Sequence, residues 1–118
     1  MVQNEIKNLV LTGASRGIGK AIALALGDAG CKVIVNYASS DAAAKEVCDE
    51  IVARGGDKGA MAVPMKANIG SPEEVQAMIA KACEEVGPVD ILVNNAGKTH
   101  QLSIFRYNQH VITTSLCL

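Results

Sequence analysis

The run Thr12-Gly13-Ala14-Ser15-Arg16-Gly17-Ile18-Gly19 puts three glycines, two hydroxyls and a guanidinium into eight consecutive positions. These residue types are not those of a general acid–base pair or of a metal site. They suit an anion. Glycines let the backbone turn tightly and approach a ligand closely, and a helix starting there offers free N–H groups and a positive dipole end to phosphate. A second polar cluster, Asn94-Asn95-Ala96-Gly97, follows a short apolar run far along the chain. The remaining chemistry-bearing residues form no pattern. His100 and His110 have no partner spacing, and Cys31, Cys48, Cys83 and Cys117 contain no C-x-x-C pair. No metal site is expected, and the cysteines read as small buried hydrophobes of a reducing compartment, with Cys48 and Cys83 on apolar helix faces.

The elements that would hold these clusters can be read from periodicity. Residues 8–12 form a brief apolar run that the glycine turn interrupts. Ile18, Ile22, Ala25, Leu26 and Ala29 then recur at helical spacing until Gly30. Residues 32–37, Lys-Val-Ile-Val-Asn-Tyr, are β-branched and read as a strand. Ser39, Ser40 and Asp41 can start a second helix, whose apolar stripe is Ala44, Val47, Cys48, Ile51 and Val52. Residues 60–65 are a weaker strand, because Pro64 cannot donate to a ladder. Ser71-Pro72-Glu73-Glu74 has the form of a capping box with proline at the first helical position, and Val75, Met78, Ile79, Cys83 and Val86 follow as a stripe. Residues 90–94 make a fourth strand. Strict alternation of strand and helix predicts an α/β fold: a Rossmann-type parallel sheet with helices on both faces, ending after the fourth strand, in the order 3-2-1-4. Residues 1–97 form this dinucleotide-binding half-domain. Residues 98–118 lack glycine, proline and acids, show no clear period, and read as a separate tail.

Composition narrows the function classes. Hydrophobic residues make up 49% of the 118 and charged residues 19%, which is globular. A net charge of −1 gives no reason to expect nucleic acid as a partner. No apolar run reaches the ~20 residues that span a bilayer. The start, Met-Val-Gln-Asn-Glu-Ile-Lys, has no signal-peptide pattern. The expectation is a soluble, cytoplasmic protein, or one of the plastid stroma if a transit peptide is missing.

The glycine spacing G-x-x-x-G-x-G, after a first strand, together with Asn94-Asn95-Ala96-Gly97 after a fourth, resembles the short-chain dehydrogenase/reductase family. Within it, LTGASRGIGKAIALALGDAGCKVIVNYASS and EEVQAMIAKACEEVGPVDILVNNAG look like bacterial and plastid 3-oxoacyl-[acyl-carrier-protein] reductases. The likeness covers residues 8–97. It implies a nicotinamide dinucleotide as ligand and, in a whole relative, reduction of a 3-oxoacyl thioester in fatty acid synthesis. By position, the turn Gly13, Ser15, Arg16, Gly17, Ile18, Gly19 would cradle the pyrophosphate, with Ile18 toward the nicotinamide. Thr12 would brace the turn, and Asn95, Ala96 and Gly97 would line the ribose side. Asn68 stands where the family usually has an Asp that contacts adenine.

Cofactor preference follows from charge. An NAD-selective site places an acid at the end of the second strand to hold the 2′-hydroxyl. Here Asn36-Tyr37-Ala38-Ser39-Ser40 carries none, and Arg16 can reach the adenosine ribose. NADP(H) is therefore expected in preference to NAD(H), although Ser39 stands where many of these reductases have Arg. The family's catalytic Ser and Tyr-x-x-x-Lys have no counterpart in these residues. Tyr37 is followed four positions later by Asp41, and Tyr107 by Val111. No catalytic residue is assigned. The reading is an NADP-dependent short-chain reductase fragment; the alternative is a non-catalytic nucleotide-binding or interaction module. Self-association, or association with full-length family members, is a further expectation.

Overall fold

The computed structural model describes residues 6–55 and 60–96. The chain runs β1 (Asn8–Leu11), α1 (Gly17–Asp28), β2 (Lys32–Tyr37), α2 (Asp41–Gly55), β3 (Met61–Lys66), α3 (Pro72–Val86) and β4 (Ile91–Val93). All strands are parallel, in the order β3-β2-β1-β4. This is the order read from the sequence. Strand boundaries shift by a residue or so at β1, β3 and β4 and agree at β2. Pro64 lies on β3, the outer strand of the described sheet, where proline is tolerated.

Alternation along β1 and β2 divides the core. Leu9, Leu11, Val33 and Val35 face one side, packed with Ala23 of α1 and Ala44, Val47, Cys48 and Ile51 of α2. Val10 and Ile34 face the other, packed with Met65 and with Val75, Met78, Ile79, Ala82 and Val86 of α3. The two inner strands are buried on both faces, which is why their sequences are continuously apolar and do not alternate with polar residues.

Helix α1 differs from the expected stripe. Ile18 is 75% exposed, and Ala25 and Ala29 are exposed as well. The buried line is Gly19, Ala23 and Gly27, with Ile22 and Leu26 half-covered. Small residues let α1 lie close to its neighbours: a Cβ on Gly27 would sit 2.6 Å from Ile51 Cγ2 of α2. Periodicity that weights large apolar residues misses a face built on closeness. In α2, Val52 is 47% exposed and Gly55 takes its place in the buried row. In α3, Ala82 is buried where Cys83 was expected.

The start of α3 also departs from the sequence reading. Ser71 Oγ accepts from the Glu74 N–H at 3.4 Å, but the reciprocal half of the capping box is not made. Glu74 Oε1 instead accepts from the Asn68 N–H at 3.3 Å, and the Ser71 N–H goes to the Asn68 carbonyl. Glu74 thus ties the β3–α3 connection rather than the helix cap. Cys31 and Cys48 are free and buried, as expected; Cys83, expected as a thiol, is disulfide-bonded. The boundary at Gly97 and the tail fall outside the described residues.

Candidate functional site

Every described residue singled out for binding sits at or just beyond the C-terminal end of a strand. The glycine turn follows β1, Ser39 follows β2, Asn68 follows β3, and Asn95 and Ala96 follow β4. The sheet reverses its direction of growth between β1 and β4. In open α/β sheets the connections there diverge to opposite faces and leave a crevice where ligands bind.

Thr12 is the centre of the site. It is 2% exposed, and its hydroxyl oxygen accepts from the backbone N–H groups of both Asn95 and Ala96, each at 3.0 Å. The Thr12 N–H donates to the Val93 carbonyl at 3.1 Å, which continues the sheet pairing into the site. Asn95 closes the clasp from the other side. Its Nδ2 donates to the carbonyls of Thr12 (3.3 Å) and Gly13 (3.1 Å). The amide of Asn95 therefore faces the glycine turn.

Asn36 supports the turn from β2. It is 1% exposed; Oδ1 accepts from the Gly13 N–H at 3.2 Å, while Nδ2 donates to the carbonyls of Met65 (3.3 Å) and Ala67 (3.2 Å). The Ala14 N–H goes to the Asn36 carbonyl at 3.0 Å. The sequence reading treated Asn36 only as the place of a missing acid. The structure shows a positioning residue that joins three strand ends, and no part of its side chain is free for a ribose. A signal was present: an amide inside the buried run Val-Ile-Val-Asn must find partners.

Two glycines shape the opening. A Cβ on Gly19 would lie 2.2 Å from the Gly13 carbonyl oxygen and 2.5 Å from Asn95 Nδ2, so only glycine allows the first turn of α1 to approach the clasp. Gly17, at φ +60°, is the opposite case: a Cβ there meets nothing within 4 Å. The N-terminus of α1 has no side-chain cap and no acid in its first turn. A helix start left uncapped beside open space, with glycine permitting close approach, fits an anionic group. Arg16 and Ile18 are exposed at this opening and Ser15 is half-exposed; Ser39 is exposed beyond the end of β2.

Asn68 is exposed, but its Oδ1 already accepts from the Gly70 N–H at 2.9 Å. An adenine amino group would share that oxygen. Among the described residues, no group of three metal-ligating side chains is found, and no helix is long and apolar enough to cross a membrane.

This turn, clasp and switch-point crevice define an α/β protein with a Rossmann-like parallel sheet. The family profile described as short chain dehydrogenase matches residues 7–116, and the chain belongs to that family. The match runs past Gly97. The 3-oxoacyl-[acyl-carrier-protein] reductase of Synechocystis sp. is 46% identical over 97 residues, which are 82% of this chain and 38% of that protein. The enzyme of the same name from Staphylococcus aureus is 43% identical over 114 residues, 93% of this chain and 45% of that one. The chain thus spans less than half the length of these relatives. Among solved structures, hydroxysteroid dehydrogenase from Escherichia coli matches with a TM-score of 0.77 at 33% identity, covering 92% of this chain and 50% of that one. L-Sorbose reductase from Gluconobacter frateurii, solved with NADPH and L-sorbose, matches with a TM-score of 0.79 at 23% identity, covering 94% and 46%, and supports the fold alone.

Proposed function

We propose that the chain is the cofactor-binding portion of an NADP-dependent short-chain reductase of the 3-oxoacyl-[acyl-carrier-protein] reductase type. The observation that carries this is the Thr12–Asn95–Ala96 clasp, which holds the glycine turn in place beside the uncapped, open end of α1. In this reading the backbone N–H groups at 15–19 receive the pyrophosphate. Ile18, exposed at the mouth, offers apolar surface toward the nicotinamide, and Ala96 lines the ribose side with Gly97 beyond it. Arg16 supplies the positive charge for the 2′-phosphate, with the Ser39 hydroxyl beside it in place of a second cation. A bound nicotinamide supplies hydride transfer to a carbonyl. The chain's own described residues bind, orient and fix the turn. Thr12, Asn36 and Asn95 are committed to backbone groups, so their part is to hold the turn and not to supply the proton that must follow the hydride. The 3-oxoacyl thioester is the substrate class that the named relatives suggest.

Titration of the purified chain with NADPH and NADH, followed by nucleotide fluorescence, tests the reading. Tighter binding of NADPH is expected. Arg16→Ala should weaken NADPH more than NADH, by about 1–3 kcal/mol for one charge-assisted hydrogen bond. Tighter NADH binding by the unaltered chain would overturn the preference, and binding of neither would overturn the assignment.

A second reading, a nucleotide-binding or interaction module without catalysis, is favoured by one sequence fact. Neither Tyr37 nor Tyr107 has a lysine four positions on. Dinucleotide binding without turnover by this chain would fit both readings. Turnover on addition of an intact family member would fit the first only if the chain itself enters the active assembly.

A further inference from the structure

At the end of β2 two side chains meet across the turn into α2. The Tyr37 hydroxyl donates to Asp41 Oδ1 at 2.7 Å. Tyr37 is half-buried and packs against the core between the sheet and the α1–α2 layer, whereas Asp41 is exposed and opens α2. The phenol is therefore the fixed partner and the carboxylate the group being held. Asp41 is also the first carboxylate after β2, since residues 37–41 read Tyr-Ala-Ser-Ser-Asp and no acid follows until Glu46.

That location has a consequence for anion selection. A carboxylate beyond the second strand of such a sheet accepts a hydrogen bond from a ribose 2′-hydroxyl and repels a 2′-phosphate. Neither strand-end residue supplies one: Asn36 is buried and fully engaged, and Tyr37 is neutral. Asp41 brings an acid to the same end of the strand from the neighbouring helix. None of the ion pairs formed by the described residues joins Arg16 to Asp41. The charge opposed to a 2′-phosphate is restrained by a phenol and is not neutralised by the cation that would attract it.

We propose that Tyr37 and Asp41 form a latch that sets discrimination between cofactors with and without a 2′-phosphate. Tyr37 is the positioning residue. It holds the Asp41 carboxylate down on the strand end and leaves the turn at Ser39 and Ser40, together with Arg16, to the phosphate. Released from the phenol, the carboxylate ranges over that turn, where it disfavours NADPH and can accept from the 2′-hydroxyl of NADH. The hydrogen bond to Asp41, with lesser contributions from burial and from the same residue's charge, raises the phenol's pKa further above neutral pH, where a tyrosine is a donor in any case. The inference rests on the reading of the site as one for NADP(H).

The test measures Kd for NADPH and for NADH in the unaltered chain, Tyr37→Phe, Asp41→Asn and the double variant. Tyr37→Phe should lower the preference for NADPH by about threefold, the size expected when an existing carboxylate is freed to come within roughly 8 Å of a phosphate in a solvated, screened site. Adding Asp41→Asn to it should restore the preference, because the loosened carboxylate is what does the harm. Asp41→Asn alone should not lower it. Asp41→Glu carries the carboxylate one methylene further from an exposed position and should move the preference as Tyr37→Phe does; it serves if loss of the phenol unfolds the chain. A preference unchanged in Tyr37→Phe and Asp41→Glu, or not restored in the double variant, would overturn the latch while leaving the cofactor reading intact. Failure of the unaltered chain to bind either nucleotide would overturn both.

Discussion

Thr12→Val isolates the clasp on which the site depends. Valine has nearly the shape of threonine, so the substitution removes the hydroxyl without opening a cavity. Two acceptances are lost at once, from the N–H groups of Asn95 and Ala96 at 3.0 Å each. The Thr12 hydroxyl's own contact to the Val93 carbonyl is long, at 3.4 Å, and that carbonyl keeps the Thr12 N–H, so little is lost there. An orphaned buried N–H costs ~1–3 kcal/mol, but Asn95 and Ala96 are only half-buried and water can reach them in part. The added methyl group at a 2% exposed position offsets some of the rest. The net expectation is a destabilisation of about 2 kcal/mol. Urea unfolding followed by circular dichroism should show a lower midpoint with an unchanged slope, and the melting temperature should fall by roughly 8–16 °C for a domain of this size. Thr12→Ser keeps the hydroxyl and should lose only about 1 kcal/mol, the worth of a buried methyl. NADPH affinity should follow the same order, because this oxygen takes two of the hydrogen bonds that align the turn with the 94–96 segment. If Thr12→Val lay within ~0.5 kcal/mol of the unaltered chain, or if Thr12→Ser were the worse of the two, the claim that this hydroxyl organises the site would be refuted.

Gly19→Ala should be more damaging than Gly17→Ala to the alignment of turn and clasp, since its Cβ would press on the Gly13 carbonyl and the Asn95 amide; loss of cooperative unfolding or of nucleotide binding in Gly19→Ala checks it. Cys48 is buried, and its thiol is pushed up to about 12, by burial first and then by Asp49. Because the thiol is harder to ionise in the folded chain than in the unfolded one, the stability it supports is full below pH 9 and declines as pH rises toward 12. Unfolding midpoints measured from pH 8 upward should fall, and the fall should be smaller in Cys48→Ala. The chain alone should not oxidise NADPH with an acetoacetyl thioester at a rate within tenfold of an intact family reductase. General acid catalysis is worth ~10²–10⁴-fold, and no tyrosine here has its lysine. Turnover at that rate would show that Tyr107 or a histidine acts as the acid.

Patterning by itself determined the alternation of strands and helices, and with it the parallel sheet and its order. Short β-branched runs, glycine stops and helical stripes are local signals, and right-handed crossovers leave few ways to arrange them. The glycine turn after β1 was legible for the same reason: glycine at such positions is dictated by backbone geometry, which spacing records. What joined it to the 94–96 segment was not legible. The Thr12 hydroxyl meets residues more than eighty positions away, and Asn36 reaches both the turn after β1 and carbonyls at the end of β3 and just beyond it. Contacts between strand ends exist only once the sheet has set its register. The buried row of α1 was misread because closeness, not hydrophobic bulk, selects Gly19, Ala23 and Gly27. The Glu74 side chain left its expected cap for the Asn68 N–H because the β3–α3 connection brought that donor within reach. Sequence specified which residues favour a turn, a strand or a cap. Tertiary packing decided which polar group each one met, because a buried donor takes the acceptor that the fold places beside it.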